Sequence, residues 1–546
     1  MKLNTLAVLA ASGTVAAARR FRRSENALET RATDATYEAH TIDQPIDHFP
    51  HSSRYAPHET ATFKQRYFFD SSYYKPGGPV FLYISGETSG ESRFSNLKTG
   101  IIKILMEATN GLGVILENRY YGHSYPYNTS STDELRFLTT EQTIADNAYF
   151  AQHAKFPGVN ASLNAPNTPW ILYGGSLAGA QTAFSLKEYG GDDGLLWAGI
   201  ASSGTTKGEY EYPQWYDPIQ KYGPQDCVGR LNGIVDNMDK VFASNNQTAI
   251  YKLKEIFGFE GLKDDRDFAY TIAFPLGGPV DYGYSNTWQE LSWFPEDGAQ
   301  DFWHFCSNVT NDDAHKNISL VDYALSEFSH GEPWTGLGNY AHYVKQTVLP
   351  SYGASCAEVQ NQDSSDCFGQ QNATHWADIS NNGGRSYLYS SCTESGGYQT
   401  ARLQGPSLLS RIIQKDYTQQ WCTWAFPAGK HNQIPSRPQL ETQNKYGGFS
   451  VIQKRLAHID GDQDVWNDIC YHSTRAPKRR TSSAKESVDH PELLITGAGH
   501  HWDSYGYGAL EDQPQFIREA HYWEIRTVKR WVEEFKSKPK GYRAEL

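Results

Sequence analysis

A serine ringed by small residues stands at the centre of Tyr173-Gly174-Gly175-Ser176-Leu177-Ala178-Gly179. It follows the apolar run Trp170 to Tyr173 and opens a helix-compatible stretch, Ala180 to Glu188. A serine on so sharp a strand-to-helix turn tolerates only small residues two places before and two after, and Gly174 and Ala178 fill those places. A hydroxyl presented in this way can act as a nucleophile once a histidine takes its proton and a carboxylate orients that histidine. In such a fold the partners follow in the order acid, then histidine, each at the end of a later strand. Leu456 to Ile459 leads into Asp460-Gly461-Asp462-Gln463-Asp464-Val465-Trp466, and Leu493 to Thr496 leads into Gly497-Ala498-Gly499-His500-His501-Trp502-Asp503. One loop supplies aspartates and the other histidines, in the required order.

Metal chemistry fits these loops poorly. Read as a calcium loop from Asp460, position 6 would be Val465 where a glycine is needed, and position 12 would be Tyr471 where a glutamate is needed. Adjacent histidines diverge, so His500-His501 makes a weak metal pair, and the chain holds no HExxH. No phosphate-cradling loop is apparent either. No cofactor and no metal are expected.

The elements around the motifs alternate. Pro79 to Ser85, Gly113 to Leu116, Trp170 to Tyr173 and Leu195 to Ala201 read as continuous apolar strands, with helical stretches such as Glu141 to His153 between them. That pattern predicts a parallel sheet covered on both faces. It resumes at Leu456 and Leu493 and closes with an amphipathic helix over Tyr522 to Phe535. Between about Thr205 and Gly429 the composition turns to Pro, Asn, Asp and aromatics, and six of the seven cysteines (Cys227, Cys306, Cys356, Cys367, Cys392, Cys422, Cys470) lie there. The expected architecture is an α/β-hydrolase fold over 35–204 and 430–546, with 205–429 inserted as a large, mostly helical cap.

Charge and composition narrow the partners. The 546 residues carry a net charge of −13, which argues against nucleic acid. The longest apolar run is too short to span a bilayer. That run, Leu3 to Ala17, follows Lys2 and precedes the small residues Ala16-Ala17-Ala18, so 1–18 reads as a signal peptide. Arg19-Arg20-Phe21-Arg22-Arg23 then marks a candidate pro-segment over 19–34. Six Asn-x-Ser/Thr sequons, at Asn128, Asn160, Asn246, Asn308, Asn317 and Asn372, add weight to export. The expected location is extracellular, with a vacuolar or lysosome-like compartment as the alternative. The basic run Arg475 to Arg480 is expected to be an exposed, mobile loop rather than a nucleic-acid patch.

Taken together, these motifs resemble a family of serine peptidases that includes prolyl carboxypeptidase, dipeptidyl peptidase II and the fungal secreted prolyl endoproteases. The resemblance spans most of the chain. Besides the loops above it is carried by Gly78-Pro79-Val80-Phe81 with Gly86-Glu87, Asn118-Arg119-Tyr120-Tyr121-Gly122-His123-Ser124, Leu138-Thr139-Thr140-Glu141-Gln142 and Cys392-Thr393-Glu394. Leu177-Ala178-Gly179 is the form associated with the fungal branch, and Val465 replaces the usual proline of an Asp-Pro-Trp acid loop. The resemblance implies a triad of Ser176, Asp464 and His500, with oxyanion donors from the backbone of Leu177 and the Gly86-Glu87 loop. It implies cleavage of peptide substrates next to proline, Trp466 lining the proline pocket, and Glu87 either binding a substrate amine or bracing its loop. It also pairs Cys392 with Cys422. Proximity within the cap suggests Cys227 with Cys306 and Cys356 with Cys367, leaving Cys470 reduced. Two other readings stay open: an esterase or lipase of the same fold, and a non-catalytic secreted recognition protein.

Overall fold

The computed structural model describes residues 36–277, 288, 293, 300–313, 316–478 and 487–538. The signal peptide, nearly all of the candidate pro-segment, and Arg479 and Arg480 of the basic run lie outside the described residues. The chain divides into two compact units. One holds the described part of Leu28–Glu209, together with Ile379–Gly396 and Phe426–Leu546; the other holds Tyr210–Asp378 and Gly397–Ala425.

The first unit is built on eight strands, β1 (His40–Pro45), β2 (Thr62–Asp70), β3 (Val80–Ile84), β4 (Leu112–Leu116), β5 (Trp170–Gly175), β6 (Ala198–Ser202), β7 (Leu456–Gly461) and β8 (Glu492–Ile495). They form one sheet in the order β1-β2-β4-β3-β5-β6-β7-β8. The first two strands run antiparallel to their neighbours, and the other six are mutually parallel. The apolar run of β3 shows why helices must cover both faces. Phe81 and Tyr83 pack with Ile101, Ile102, Leu105 and Trp531, whereas Val80, Leu82 and Ile84 pack with Phe150, Ala151 and Leu186. Helices Ile101–Thr109 and Gln515–Ser537 therefore close one face, and Thr140–His153 and Leu177–Tyr189 the other. This is the α/β-hydrolase fold.

The antiparallel edge follows a different sequence rule. In β2, Phe63 and Tyr67 are buried while Thr62 and Lys64 are exposed, an alternation of period two. No continuous apolar run announces it, and the strand pattern expected from the sequence begins only at β3.

Ile379–Gly396 belongs with the sheet and not with the residues on either side of it. Glu394 supplies a physical reason. Its buried carboxylate accepts the Thr140 N–H at 2.7 Å and the Thr140 hydroxyl at 2.8 Å, and it pairs with Arg54 at 2.5 Å. A negative charge at the N-terminus of helix Thr140–His153 satisfies donors that the helix itself cannot.

In the second unit helices dominate the described residues: Gln225–Ala243, Gln247–Phe257, Asp265–Ile272, Gln300–Val309, Leu337–Thr347 and Lys415–Ala425. Cys227 is bonded to Cys306 and Cys356 to Cys367. Cys422 of this unit and Cys392 of the first are each disulfide-bonded, and Cys470 of the first unit is a buried free thiol.

Candidate active site

The parallel strands set the site by ending together. Gly175 of β5 is in register with Ser202 of β6, Ser202 with Ile459 of β7, and Ile459 with Leu493 of β8. Loops leaving the carboxyl ends of these strands meet at one edge of the sheet, where α/β folds place their chemistry.

Ser176 is the single residue between β5 and helix Leu177–Tyr189. Its φ of 59° and ψ of −124° are costly for a residue with a side chain, and such strain persists only where the surroundings enforce it. The enforcement is visible. The Ser176 N–H donates to the Ser202 carbonyl at 3.0 Å, and the Ser176 carbonyl accepts the Ala180 N–H at 3.1 Å. A methyl group on Gly174 would lie 2.2 Å from the Ala178 carbonyl oxygen, so only glycine fits there. Ser176 itself remains partly exposed.

Asp464 follows β7 and is 1% exposed; His500 follows β8 and is 7% exposed. The His500 Nδ1–H donates to the carboxylate, with both Asp464 oxygens at 2.9 Å. Asp464 also accepts the Trp466 N–H at 2.8 Å, which fixes the carboxylate independently of the histidine. The structure thus brings together the acid and the base named from the sequence, on loops 36 residues apart. A methyl group on Gly175 would stand 3.0 Å from the His501 ring, so the histidine loop lies against the residue preceding Ser176.

His501 takes a different place. Its N–H donates to Ser203 Oγ at 2.9 Å and its ring is bonded to Ser504 Oγ at 3.1 Å. Burial, and then the neighbouring His500, hold its pKa well below the usual histidine value, so the ring is neutral.

Among the other named residues, Leu177 opens its helix, and its N–H therefore has no intrahelical acceptor. Gly86, at φ 73°, makes the turn after β3, and a methyl group there would sit 3.5 Å from the Ala178 Cβ. Glu87 is half-buried, and its Oε2 is buried without a hydrogen-bond partner among the described residues. Trp466 is largely buried, and its carbonyl accepts the Cys470 thiol at 3.2 Å. Asn128, Asn160, Asn246 and Asn317 are exposed, while Asn308 and Asn372 are partly exposed. Arg475 is anchored, since it pairs with Glu209 at 2.9 Å and with Asp468 at 3.3 Å, so this end of the basic run is not loose.

Sequence reasoning missed a layer behind these residues. Asp503, buried, accepts the Ser202 hydroxyl at 2.6 Å and the Tyr173 hydroxyl. Its carbonyl is bonded to His521 Nε2 at 2.8 Å. The available signal was positional: Asp503 lies three residues after His500 in a loop already marked as functional. No group of acids, histidines and cysteines suited to a metal occurs among the described residues.

The model of the serine carboxypeptidase S28 family matches residues 44–515. A "Probable extracellular serine carboxypeptidase" of Arthroderma benhamiae is 38% identical over 93% of this chain and 70% of its own length. "Serine protease vicPb" of Bipolaris victoriae is 27% identical over 87% of each chain. Among solved structures, the acetyl esterase MekB covers 93% of this chain and 100% of its own at 8% identity, with a TM-score of 0.32.

Proposed function

The chain belongs to the serine carboxypeptidase S28 family, and we propose that it is a secreted serine peptidase in which Ser176, Asp464 and His500 form the catalytic triad. The observation that carries this reading is the buried Asp464–His500 pair, held on loops at the same sheet edge as a strained, partly exposed serine. His500 takes the proton of Ser176 as its oxygen attacks the scissile carbonyl, and Asp464 holds the imidazole with Nε2 free to accept it. The Leu177 N–H and a donor from the Gly86-Glu87 turn stabilise the oxyanion. His500 then protonates the leaving amine, and water hydrolyses the acyl-enzyme by the same steps in reverse order of roles.

Substrates are peptides cut next to proline, with Trp466 at the proline pocket and Glu87 available to a substrate amine through its unpartnered oxygen. The six sequon asparagines carry glycans, consistent with passage through a secretory route to the exterior or to a vacuole-like compartment. No helix among the described residues is long and apolar enough to cross a membrane.

The test has two parts. A fluorophosphonate should label Ser176, as mapped by mass spectrometry, and a proline-containing peptide should give products cut beside proline. Labelling together with hydrolysis of short acyl esters, but not of peptides, would favour an esterase. No labelling would leave a non-catalytic protein.

A further inference from the structure

The loop that leaves β8 carries His500, and it is bonded to different neighbours on either side of that residue. Before His500 the bonds run to the acid loop. The Gly497 N–H donates to Asp462 Oδ1 at 2.8 Å, and the Ala498 carbonyl accepts the Gln463 N–H at 3.0 Å. The two loops approach so closely that a methyl group on Gly461 would lie 2.3 Å from the Ala498 carbonyl oxygen. These bonds hold the base to its acid. The nucleophile takes no part in them.

After His500 the bonds run instead to the strands beside Ser176. The His501 N–H reaches Ser203 Oγ at 2.9 Å. Asp503 then accepts the Ser202 hydroxyl of β6 at 2.6 Å through one oxygen and the Tyr173 hydroxyl of β5 through the other. Both donors flank the nucleophile. Tyr173 precedes Ser176 by three residues on the strand that delivers it, and the Ser202 carbonyl receives the Ser176 N–H at 3.0 Å. Two bonds on different oxygens fix the orientation of the carboxyl group as well as its position. Asp503 is 2% exposed, and its carbonyl is bonded to His521 Nε2 on helix Gln515–Ser537 at 2.8 Å. A buried polar network whose members are satisfied in this way is stiff.

We propose that Asp503 is a positioning residue, which sets the distance from His500 to Ser176 by fastening the histidine loop to β5 and β6. It touches no reacting atom. The acid loop, by contrast, sets the orientation of the imidazole. This division of labour has a signature: without the Asp503 bonds, His500 should stay bonded to Asp464 while the pair stands off from the serine hydroxyl. Proton transfer requires hydrogen-bond reach, and a displacement of about 1 Å can cost a hundredfold in rate.

This inference rests on the serine-peptidase reading of the same site, and the experiment separates the two. Wild type, D503N, Y173F and S202A are compared in kcat and KM on a proline peptide, in the rate of fluorophosphonate labelling of Ser176, and in thermal melts. Proton NMR follows the far-downfield signal of a histidine Nδ1–H bonded to a carboxylate. Asn keeps the volume of Asp503 and replaces one accepting oxygen with a donor. D503N should lose about 10- to 100-fold in kcat and labelling rate, with KM within about twofold of wild type. Y173F and S202A each remove one donor and should each lose about three- to tenfold. The downfield signal should persist in all of them. Loss of that signal together with activity and melting temperature marks a merely structural role and overturns the proposal. So does a loss confined to KM, or unchanged kcat and labelling in D503N. Should D503N fail to fold, unchanged values in both Y173F and S202A overturn it, and a fall in either with the signal intact supports it. Absence of labelling in the wild type overturns the reading of the site itself.

Discussion

Asp464 holds His500 with both of its oxygens, each 2.9 Å from Nδ1, while the backbone of Trp466 holds Asp464. The carboxylate therefore keeps its position when the imidazole changes charge, which is the requirement on an orienting acid. Asp464→Asn should preserve the fold and the Trp466 bond but favour the wrong imidazole tautomer. We expect kcat to fall by about 10⁴-fold. Steady-state kinetics on a proline peptide checks this, and a loss below about tenfold would remove Asp464 from the triad.

Ser176→Ala should abolish hydrolysis with folding intact, because the elbow accepts a small residue. Residual activity above about a hundredth of the wild-type rate would contradict its role as nucleophile. Ser176→Gly should be equally inactive and also more stable. Glycine adopts φ 59° without the cost a side chain brings there, so a gain of about 1 kcal/mol is expected. Calorimetric melts of the two variants supply the comparison; equal melting temperatures would mean the strain is not borne by the serine.

His500→Ala and His501→Ala should separate cleanly. The first removes the base and most of the catalysis. The second leaves a gap beside Gly175 and removes the ring's bond to Ser504 Oγ, so it should cost about 10- to 100-fold through misplacement. If His501→Ala is the deader variant on the same substrate, the base has been assigned to the wrong residue.

Gly174→Ala tests the packing of the elbow. The added methyl would lie 2.2 Å from a backbone carbonyl that no side-chain rotation can move aside. Loss of soluble expression, or a destabilisation of about 3 kcal/mol, is expected. Wild-type stability in this variant would show that the turn is looser than drawn.

Glycan occupancy should differ among the sequons. Asn246 is exposed and caps helix Gln247–Phe257 through its oxygen, which accepts from Thr248 and Ala249 and leaves the amide nitrogen available. Asn308 is only partly exposed, and its amide nitrogen donates to the His304 carbonyl at 2.9 Å. Glycopeptide mapping should find Asn246 more fully occupied than Asn308, and the reverse order would refute the argument.

What the sequence disclosed follows from how strongly each feature is imposed. β3 to β7 announce themselves because strands buried on both faces must be apolar throughout or nearly so, and the partly buried β8 through its short run Leu493–Ile495. The elbow is legible because Gly174 has no substitute at a 2.2 Å approach. β1 and β2 stay hidden because antiparallel strands at the margin of the sheet need only alternate apolar residues, and His40–Pro45 reads as unremarkable polar chain. Asp503 stays hidden for a further reason. Nothing in the residue types distinguishes a surface acid from one turned into the core, and only the packing of its loop against the sheet reveals which Asp503 is.

The pairing of β6 with β7 bears on how the molecule is made. Arg455, at the start of β7, reaches the carbonyl of Trp197, a neighbour 258 residues away along the chain. During translation β5, which leads into Ser176, leaves the ribosome long before β7 and β8, which lead into Asp464 and His500, exist, and the sheet waits half-finished with β6 as an open edge. At about 5–20 residues per second that interval lasts tens of seconds. Until Asp464 and His500 are made, the nascent chain lacks the acid and base proposed for Ser176, and its β6 edge is an unpaired strand of the kind that invites mispairing.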